Sequence, residues 1–397
     1  MISKRQLFLN HVAQTSPFPM TVEVVHAEGM YITDSHGKKY MDLDSGFSVS
    51  SLGHRHPSIV NAIKTQLDLY LHTTVYGEHI QSPQVDFAHR LSTILSNNLD
   101  CIYFTTGGSE AVEIAMKLSR KFTKRFEIIC CKNAYHGSTL GAESLRSDTD
   151  YTSSFMPSVP GIHHISFNEH VHLKKINKNT AGVILEVVQA EAGVQVPDPT
   201  YLYNLRKRCD EVGALLIFDE IQTGFGRTGH LFAFQKYEVT PDILLMAKAM
   251  GGGMPLGACM SSKSILSTLS INPILGHINT FGGHPLCVAA ACEVLKILSE
   301  TPYIDQVSKK EKLFHLHLKH PLIKEIRSSG LLMACNLADK NILSEVVHRL
   351  KENGLIVDFF LFNDESFRIA PPLIITDEEI ISACNIIKNT LDHFLQH

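Results

Sequence analysis

The chain has 397 residues, 44% hydrophobic and 19% charged, with a formal net charge of −4. That length calls for two packed units in one globular body, and the composition is ordinary for a soluble globular protein. The weak negative charge offers no electrostatic basis for binding nucleic acid or an anionic membrane surface.

Met1–Ile2–Ser3–Lys4–Arg5 leads into no apolar core of the kind a secretory leader carries. No apolar run reaches the roughly 20 residues a spanning helix needs, so a cytoplasmic location is expected. Residues 22–25 and 30–32 read as short strands, with a turn at Ser35–His36–Gly37. Gly53–His54–Arg55–His56–Pro57 carries two imidazoles but no neighbouring carboxylate or thiol, so no metal site is assigned there or elsewhere. From about residue 55 to 285, strand-like and helical runs alternate. Buried strands are expected at 101–104, 127–131, 183–188 and 214–218, continuing at 243–246 and 256–260. Between them, the run 110–122 places Ala111, Ile114, Ala115, Leu118 and Phe122 on one helical stripe. This pattern gives an α/β fold, a mostly parallel sheet covered by helices.

From Pro285 the chain reads as a long helix at 287–298. Strand-like pieces follow at 331–335, 355–360 and 367–369, with helices at 342–352 and 377–395. The expected division is an N-terminal segment (1–50) that joins a small domain, a large domain (51–285) and the C-terminal small domain (286–397). The nine cysteines form no Cys-x-x-Cys pair and mostly sit in apolar runs, as small buried thiols of a reducing compartment.

Two residues carry the chemistry. Asp219 closes the apolar run 214–218, and Lys248 follows 29 positions later, between apolar neighbours and Gly251–Gly252–Gly253. A pyridoxal phosphate site needs such a pair, an amine for the aldehyde and a carboxylate for the pyridine nitrogen. Burial lowers an amine's pKa, which suits that role. Either residue alone is unremarkable, since a strand-end Asp more often caps a helix or charges a loop. Thr105–Thr106–Gly107–Gly108–Ser109 follows a strand and opens a helix, where free N–H groups accept an anion; an ordinary tight turn has the same pattern. Tyr135, just past a strand, is placed to cover a planar ring, although plain packing is the commoner use. Gln222 lies three residues after Asp219, within reach of a ring oxygen. Arg368 stands in an apolar run and is either a snorkelling side chain or a bidentate clamp for a carboxylate; Glu191 is available to neutralise it. Gly224–Phe225–Gly226–Arg227–Thr228–Gly229 lacks the helix that a dinucleotide fingerprint needs.

Taken together, these motifs resemble the class III aminotransferases of the fold-type I pyridoxal phosphate group, from about residue 15 to the C-terminus. The resemblance rests on 216–229, on Pro241–Asp242–Ile243 and on Ala247–Lys248–Ala249–Met250–Gly251–Gly252–Gly253. It is supported by Tyr135–His136–Gly137, 279–285 and Arg368–Ile369–Ala370–Pro371–Pro372. It implies a seven-stranded, mostly parallel large-domain sheet beside a smaller α+β domain. Lys248 would bond the coenzyme aldehyde and Asp219 would hold the ring nitrogen. Gly107, Gly108 and Ser109 would hold the phosphate, Tyr135 would stack on the ring and Gln222 would meet its oxygen. Thr280 would reach the neighbouring subunit's coenzyme in a homodimer. Arg368 and Glu191 would alternate between an ω-amine donor and the α-carboxylate of glutamate, with 2-oxoglutarate as the 2-oxo acid acceptor. Two positions depart from the acetylornithine and ornithine members, which carry arginine where this chain has Ser138; the ornithine members carry tyrosine where it has Phe47. An aminomutase or decarboxylase of the same fold shares these residues, and a regulator without turnover is the third alternative.

Overall fold

The computed structural model describes residues 2–95 and 98–395. Strands β1 (Val24–Glu28), β2 (Tyr31–Asp34) and β3 (Lys39–Asp42) form an antiparallel meander. The expected strands at 22–25 and 30–32 are thus displaced a few residues along the chain, and β3 was not foreseen. Next come β4 (Cys101–Thr105), β5 (Glu127–Cys131), β6 (Ile162–Ile165), β7 (Thr180–Glu186), β8 (Leu215–Asp219), β9 (Ile243–Met246) and β10 (Gly257–Ser261). They build one seven-stranded sheet in the order β4-β10-β9-β8-β7-β5-β6. The run from β9 to β6 is parallel, and β10 is antiparallel to both neighbours. Its strands β7 and β8 are buried along their whole length, as a sheet covered on both faces requires.

The helix Gly108–Thr123 lies on this sheet and buries Ala111, Ile114, Ala115 and Leu118, while Phe122, in its last turn, stays 40% exposed. Each fully buried Ile or Leu contributes roughly 1.5–3 kcal/mol. The helix Pro285–Glu300 packs on Pro57–Leu67 and Ser82–Ile94. A third sheet comprises β11 (Ile323–Ser328), β12 (Met333–Leu337), β14 (Asp358–Phe359) and β15 (Ser366–Ile369), in the order β11-β12-β15-β14. The run expected as one strand at 355–360 divides: β13 (Leu355–Ile356) pairs in parallel with β3, and only β14 joins the third sheet. The N-terminal meander is thereby tied to the C-terminal part of the chain.

The C-terminal ends of β4, β5, β7, β8 and β9 share one edge of the large sheet, because β4 and β9 are both antiparallel to the β10 strand between them. Ligand sites in open α/β sheets form along this edge. Among the described residues, no helix is long and apolar enough to cross a membrane.

Candidate active site

A cavity of about 470 Å³ opens at that edge. Its lining includes Gly107, Gly108, Ser109, Tyr135, Asp219, Gln222 and Lys248, so seven separately inferred residues meet in one place. Gly107 caps the helix Gly108–Thr123, whose first N–H groups face the cavity unpaired by side chains. The floor of this turn is tight. A Cβ on Gly108 would lie 2.9 Å from Ile221 Cδ1, and one on Gly137 (φ +126°) would lie 2.7 Å from Ser109 Cβ. Ser109 Oγ accepts the Ser138 N–H at 3.3 Å, which holds the loop after β5 against the cradle.

Lys248 opens a short 3-10 turn after β9, with φ +47°. A non-glycine residue in that region costs about 1–2 kcal/mol, and such strain persists where the surroundings over-determine it. Its Nζ donates to Gln222 Oε1 at 2.9 Å. Part of the side chain is open to the cavity, but protein surrounds the amine. Burial pulls the amine below the usual lysine range and Arg368 adds to the fall, against the opposing carboxylates of Glu191, Asp219 and Glu186.

Asp219 is 4% exposed at the end of β8. Its Oδ1 accepts the Ile221 N–H at 3.0 Å, and its Oδ2 lies 2.7 Å from His136 Nδ1. Burial pulls the imidazole down, but the hydrogen bond and charge of Asp219 outweigh it and the His136 pKa rises. His136 Nδ1 therefore donates, and it orients Asp219 Oδ2. Sequence reasoning gave no role to His136. It also passed over Glu186, a cavity-lining carboxylate at the end of β7 that accepts the N–H groups of Tyr135 (3.1 Å) and Ala190 (2.8 Å). The available signal was the one that marked Asp219: an acid closing an apolar strand.

Arg368 and Glu191 form an ion pair at 2.6 Å, 0% and 6% exposed, outside the lining of this cavity. Glu191 is also fixed by the Leu361 N–H at 3.1 Å. Among the described residues, Arg368 Nε and Nη1 are buried without a hydrogen-bond partner, so two donors of the fork remain for a ligand. Thr280 is exposed and does not line this chain's cavity. His54, of the twin-imidazole segment, is engaged by Asp42 at 2.8 Å.

These buried acids make stability depend on pH. Burial pushes Glu186 to about 7, with the charge of Asp219 adding and His136 opposing. It likewise pushes Glu220 to about 7, against hydrogen bonds from Thr223, Ala233 and Phe234. Both bind protons more tightly folded than unfolded, so their contribution falls as pH rises from 4.5 to about 7. His136, also raised, contributes below 6.5 and loses that contribution as pH passes its folded value. The melting temperature of the coenzyme-free protein is therefore expected to drop by a few degrees across this window. Glu186→Gln should flatten the drop in melts at stepped pH, and an equal slope in the variant would contradict this origin.

Comparison with known proteins places this geometry. The Aminotransferase class-III family model matches residues 12–391. The chain is 36% identical to the acetylornithine aminotransferase of Caldanaerobacter subterraneus subsp. tengcongensis, over 93% of this chain and 94% of that protein. It is also 36% identical to the putrescine aminotransferase of Pectobacterium atrosepticum, over 91% of this chain and 80% of the relative. The crystal structure of the ornithine aminotransferase from Toxoplasma gondii ME49 superposes with a TM-score of 0.90 at 32% identity, over 98% of this chain and 95% of that one.

Proposed function

This chain belongs to the class III aminotransferases, and from that premise we propose that it moves an amino group from an ω-amine or amino acid to 2-oxoglutarate, giving glutamate. The observation that carries the reading is the buried Arg368–Glu191 pair at 2.6 Å, with two guanidinium donors left over. A carboxylate clamp with an internal stand-in anion serves two substrates in turn, one with an α-carboxylate and one without.

The coenzyme of this class is pyridoxal phosphate, and the cavity fits it. Gln222 Nε2 and His136 Nε2 are buried polar atoms without a partner among the described residues, and the backbone at Gly107 faces open space that a bulky anion can enter. When bound, the coenzyme supplies an aldehyde for the donor nitrogen and a protonated ring that draws electrons from the donor carbon. The rest falls to the chain. Ser109 and the first N–H groups of its helix bind the phosphate. Asp219, oriented by His136 and the Ile221 N–H, holds the proton at the ring nitrogen. Tyr135 covers one ring face, and Gln222 orients the ring oxygen. Lys248 Nζ, lowered by burial, carries the proton to and from the donor carbon. Glu191 occupies Arg368 while the ω-amine reacts, then yields it to the α-carboxylate of glutamate or 2-oxoglutarate.

Ser138 is exposed and its Oγ lies 3.1 Å from the Tyr135 hydroxyl. It offers no charge for a second carboxylate, which favours a donor less acidic than acetylornithine. Thr280 lies in an exposed segment with Ile274, Leu275, Ile278 and Phe281. This apolar surface supports a homodimer in which Thr280 reaches the partner's coenzyme phosphate. The pairing of β13 with β3 supports a small domain made of 1–50 and 286–397 around the large domain 51–285.

The test offers a panel of diamines, ω-amino acids and acylated ornithines to the holoenzyme with 2-oxoglutarate and measures glutamate. Glutamate is expected from at least one donor, only when the 2-oxo acid is present. Product formed without any 2-oxo acid would instead mean an aminomutase or decarboxylase.

A further inference from the structure

How readily the Arg368–Glu191 pair opens depends on what holds Glu191, and this inference rests on the transaminase reading. The seat of the pair is the segment 359–362, which runs out of β14. Arg368 Nη2 donates to the Phe359 carbonyl at 3.3 Å, and its guanidinium lies 4.7 Å from the Phe360 ring. The Leu361 N–H donates to Glu191 Oε2 at 3.1 Å, and the Phe362 N–H donates to the Glu191 carbonyl at 3.0 Å. Asn363 packs against the turn that carries Glu191, since a Cβ on Gly193 (φ +80°) would lie 2.8 Å from Asn363 Nδ2. Four consecutive residues thus grip the two members of the pair.

The Phe362 side chain leads from this seat to the coenzyme cavity. Its ring lies 5.2 Å from the guanidinium of Arg146, which also lies 5.8 Å from the ring of Tyr135 and 4.5 Å from that of Tyr151. Tyr151 in turn meets Phe362 edge-on at 6.3 Å. Tyr135 lines the cavity, whereas Arg146 lies outside the lining and is only 8% exposed. A cation facing aromatic rings away from solvent binds them more strongly than the same contact at the surface.

The direction of this guanidinium is fixed by two carboxylates. Nε and Nη2 donate to the two oxygens of Asp148 at 3.1 and 3.4 Å, and Nη1 donates to Glu143 Oε1 at 3.4 Å. An ammonium can keep the charge at this place but not the fork. Asp148 also accepts the Tyr151 N–H at 3.2 Å, so one carboxylate orients both the cation and the backbone of a ring beneath it. Glu186 makes a second connection. One of its oxygens accepts the Tyr135 N–H and the other accepts that of Ala190, the residue before Glu191. Tyr135 and Glu191 are therefore tied twice, by backbone through Glu186 and by side chains through Arg146 and Phe362. Whatever steadies 361–362 steadies Glu191 on Arg368, the state in which the ω-amine reacts.

We propose that Arg146 is a positioning residue for the Glu191 gate: held by Asp148 and Glu143, it ties Phe362 to the Tyr135 ring and so keeps Glu191 on Arg368 until an α-carboxylate arrives. It acts through Glu191 and not on the reacting atoms, so its effect falls on the choice between the two substrates.

The test follows the two half-reactions of the holoenzyme separately, with the best ω-amine donor of the panel and with glutamate. Arg146→Gln is expected to lower the ratio of kcat/KM for the ω-amine to that for glutamate by about tenfold, while KM for 2-oxoglutarate falls. Arg146→Lys, which keeps a cation facing the rings, should recover part of that ratio. Added to Glu191→Gln, the Arg146→Gln change should move the ratio by no more than about twofold, because the gate it positions is already lost. Phe362→Leu removes the receiving ring but keeps the N–H at 362 and both ion pairs of Arg146. It should shift the ratio in the same direction, and it decides the matter if Arg146→Gln fails to fold. Parallel losses in both half-reactions, a ratio unmoved in both single variants, or an undiminished shift in the Glu191→Gln background overturns the positioning role and leaves the transaminase reading intact. No glutamate from any donor with the wild type overturns both.

Discussion

Lys248→Ala is expected to cut glutamate formation by at least about 10³-fold with every donor, because in the proposed function one amine both holds the coenzyme aldehyde and moves the proton. The geometry separates this loss from a loss of binding. Ser109, the helix N-terminus, Asp219 and Tyr135 make no hydrogen bond to the Lys248 side chain, which among the described residues donates to Gln222 at 2.9 Å. The variant should therefore still retain coenzyme through dialysis, with an absorption spectrum no longer set by a bond to the protein. A small exogenous amine added to it should recover part of the turnover, as a proton carrier diffusing to the vacated position. The decisive measurement is a single turnover of the alanine variant with the best donor. A rate within about tenfold of wild type would remove Lys248 from the chemistry and with it the basis of the assignment.

Asp219 and Lys248 were visible in the sequence for a simple reason. Each follows an apolar strand, and parallel strands bring their C-terminal ends to one edge, so spacing along the chain translates into proximity. His136 was not visible, because its role depends on β5 and β8 lying one strand apart with β7 between them. The Arg368–Glu191 pair spans 177 residues; charge complementarity suggested it, and the family resemblance gave it a role. The misplaced elements have local causes. Val187 and Val188 are fully buried, so the run 183–188 looked like continuous strand although the ladder ends at Glu186. β6 (Ile162–Ile165) reads Ile-His-His-Ile, too polar to announce a strand, and it is a half-exposed edge. The division of 355–360 between two sheets and the reversed direction of β10 are set by partners distant in sequence, which strand propensity does not encode.

Arg368→Ala is expected to lower kcat/KM for glutamate and 2-oxoglutarate by about 10²–10³-fold, mostly through KM, while the ω-amine half-reaction changes far less. The split follows from where the guanidinium acts. In the proposed reading it contacts the unreactive carboxylate and not the bond being broken, so its loss removes binding common to ground state and transition state. The size follows from burial: truncating one partner of a desolvated charge pair costs about 2–5 kcal/mol. The same truncation leaves Glu191 buried without the guanidinium it pairs with, so the variant should also melt lower, consistent with the roughly 3–5 kcal/mol cost of breaking such a pair. Arg368→Lys does not escape this, since an ammonium cannot reproduce the two parallel donors of the fork. Glu191→Gln gives the opposite sign and so isolates the switch from the fold. With the competing anion gone, Arg368 is free before substrate arrives, and KM for 2-oxoglutarate should fall while the ω-amine loses ground. Following the coenzyme absorbance in separate half-reactions resolves all of these effects. An unchanged glutamate half-reaction in Arg368→Ala, or parallel losses for both substrates, would show that this arginine is structural and that the α-carboxylate is bound elsewhere.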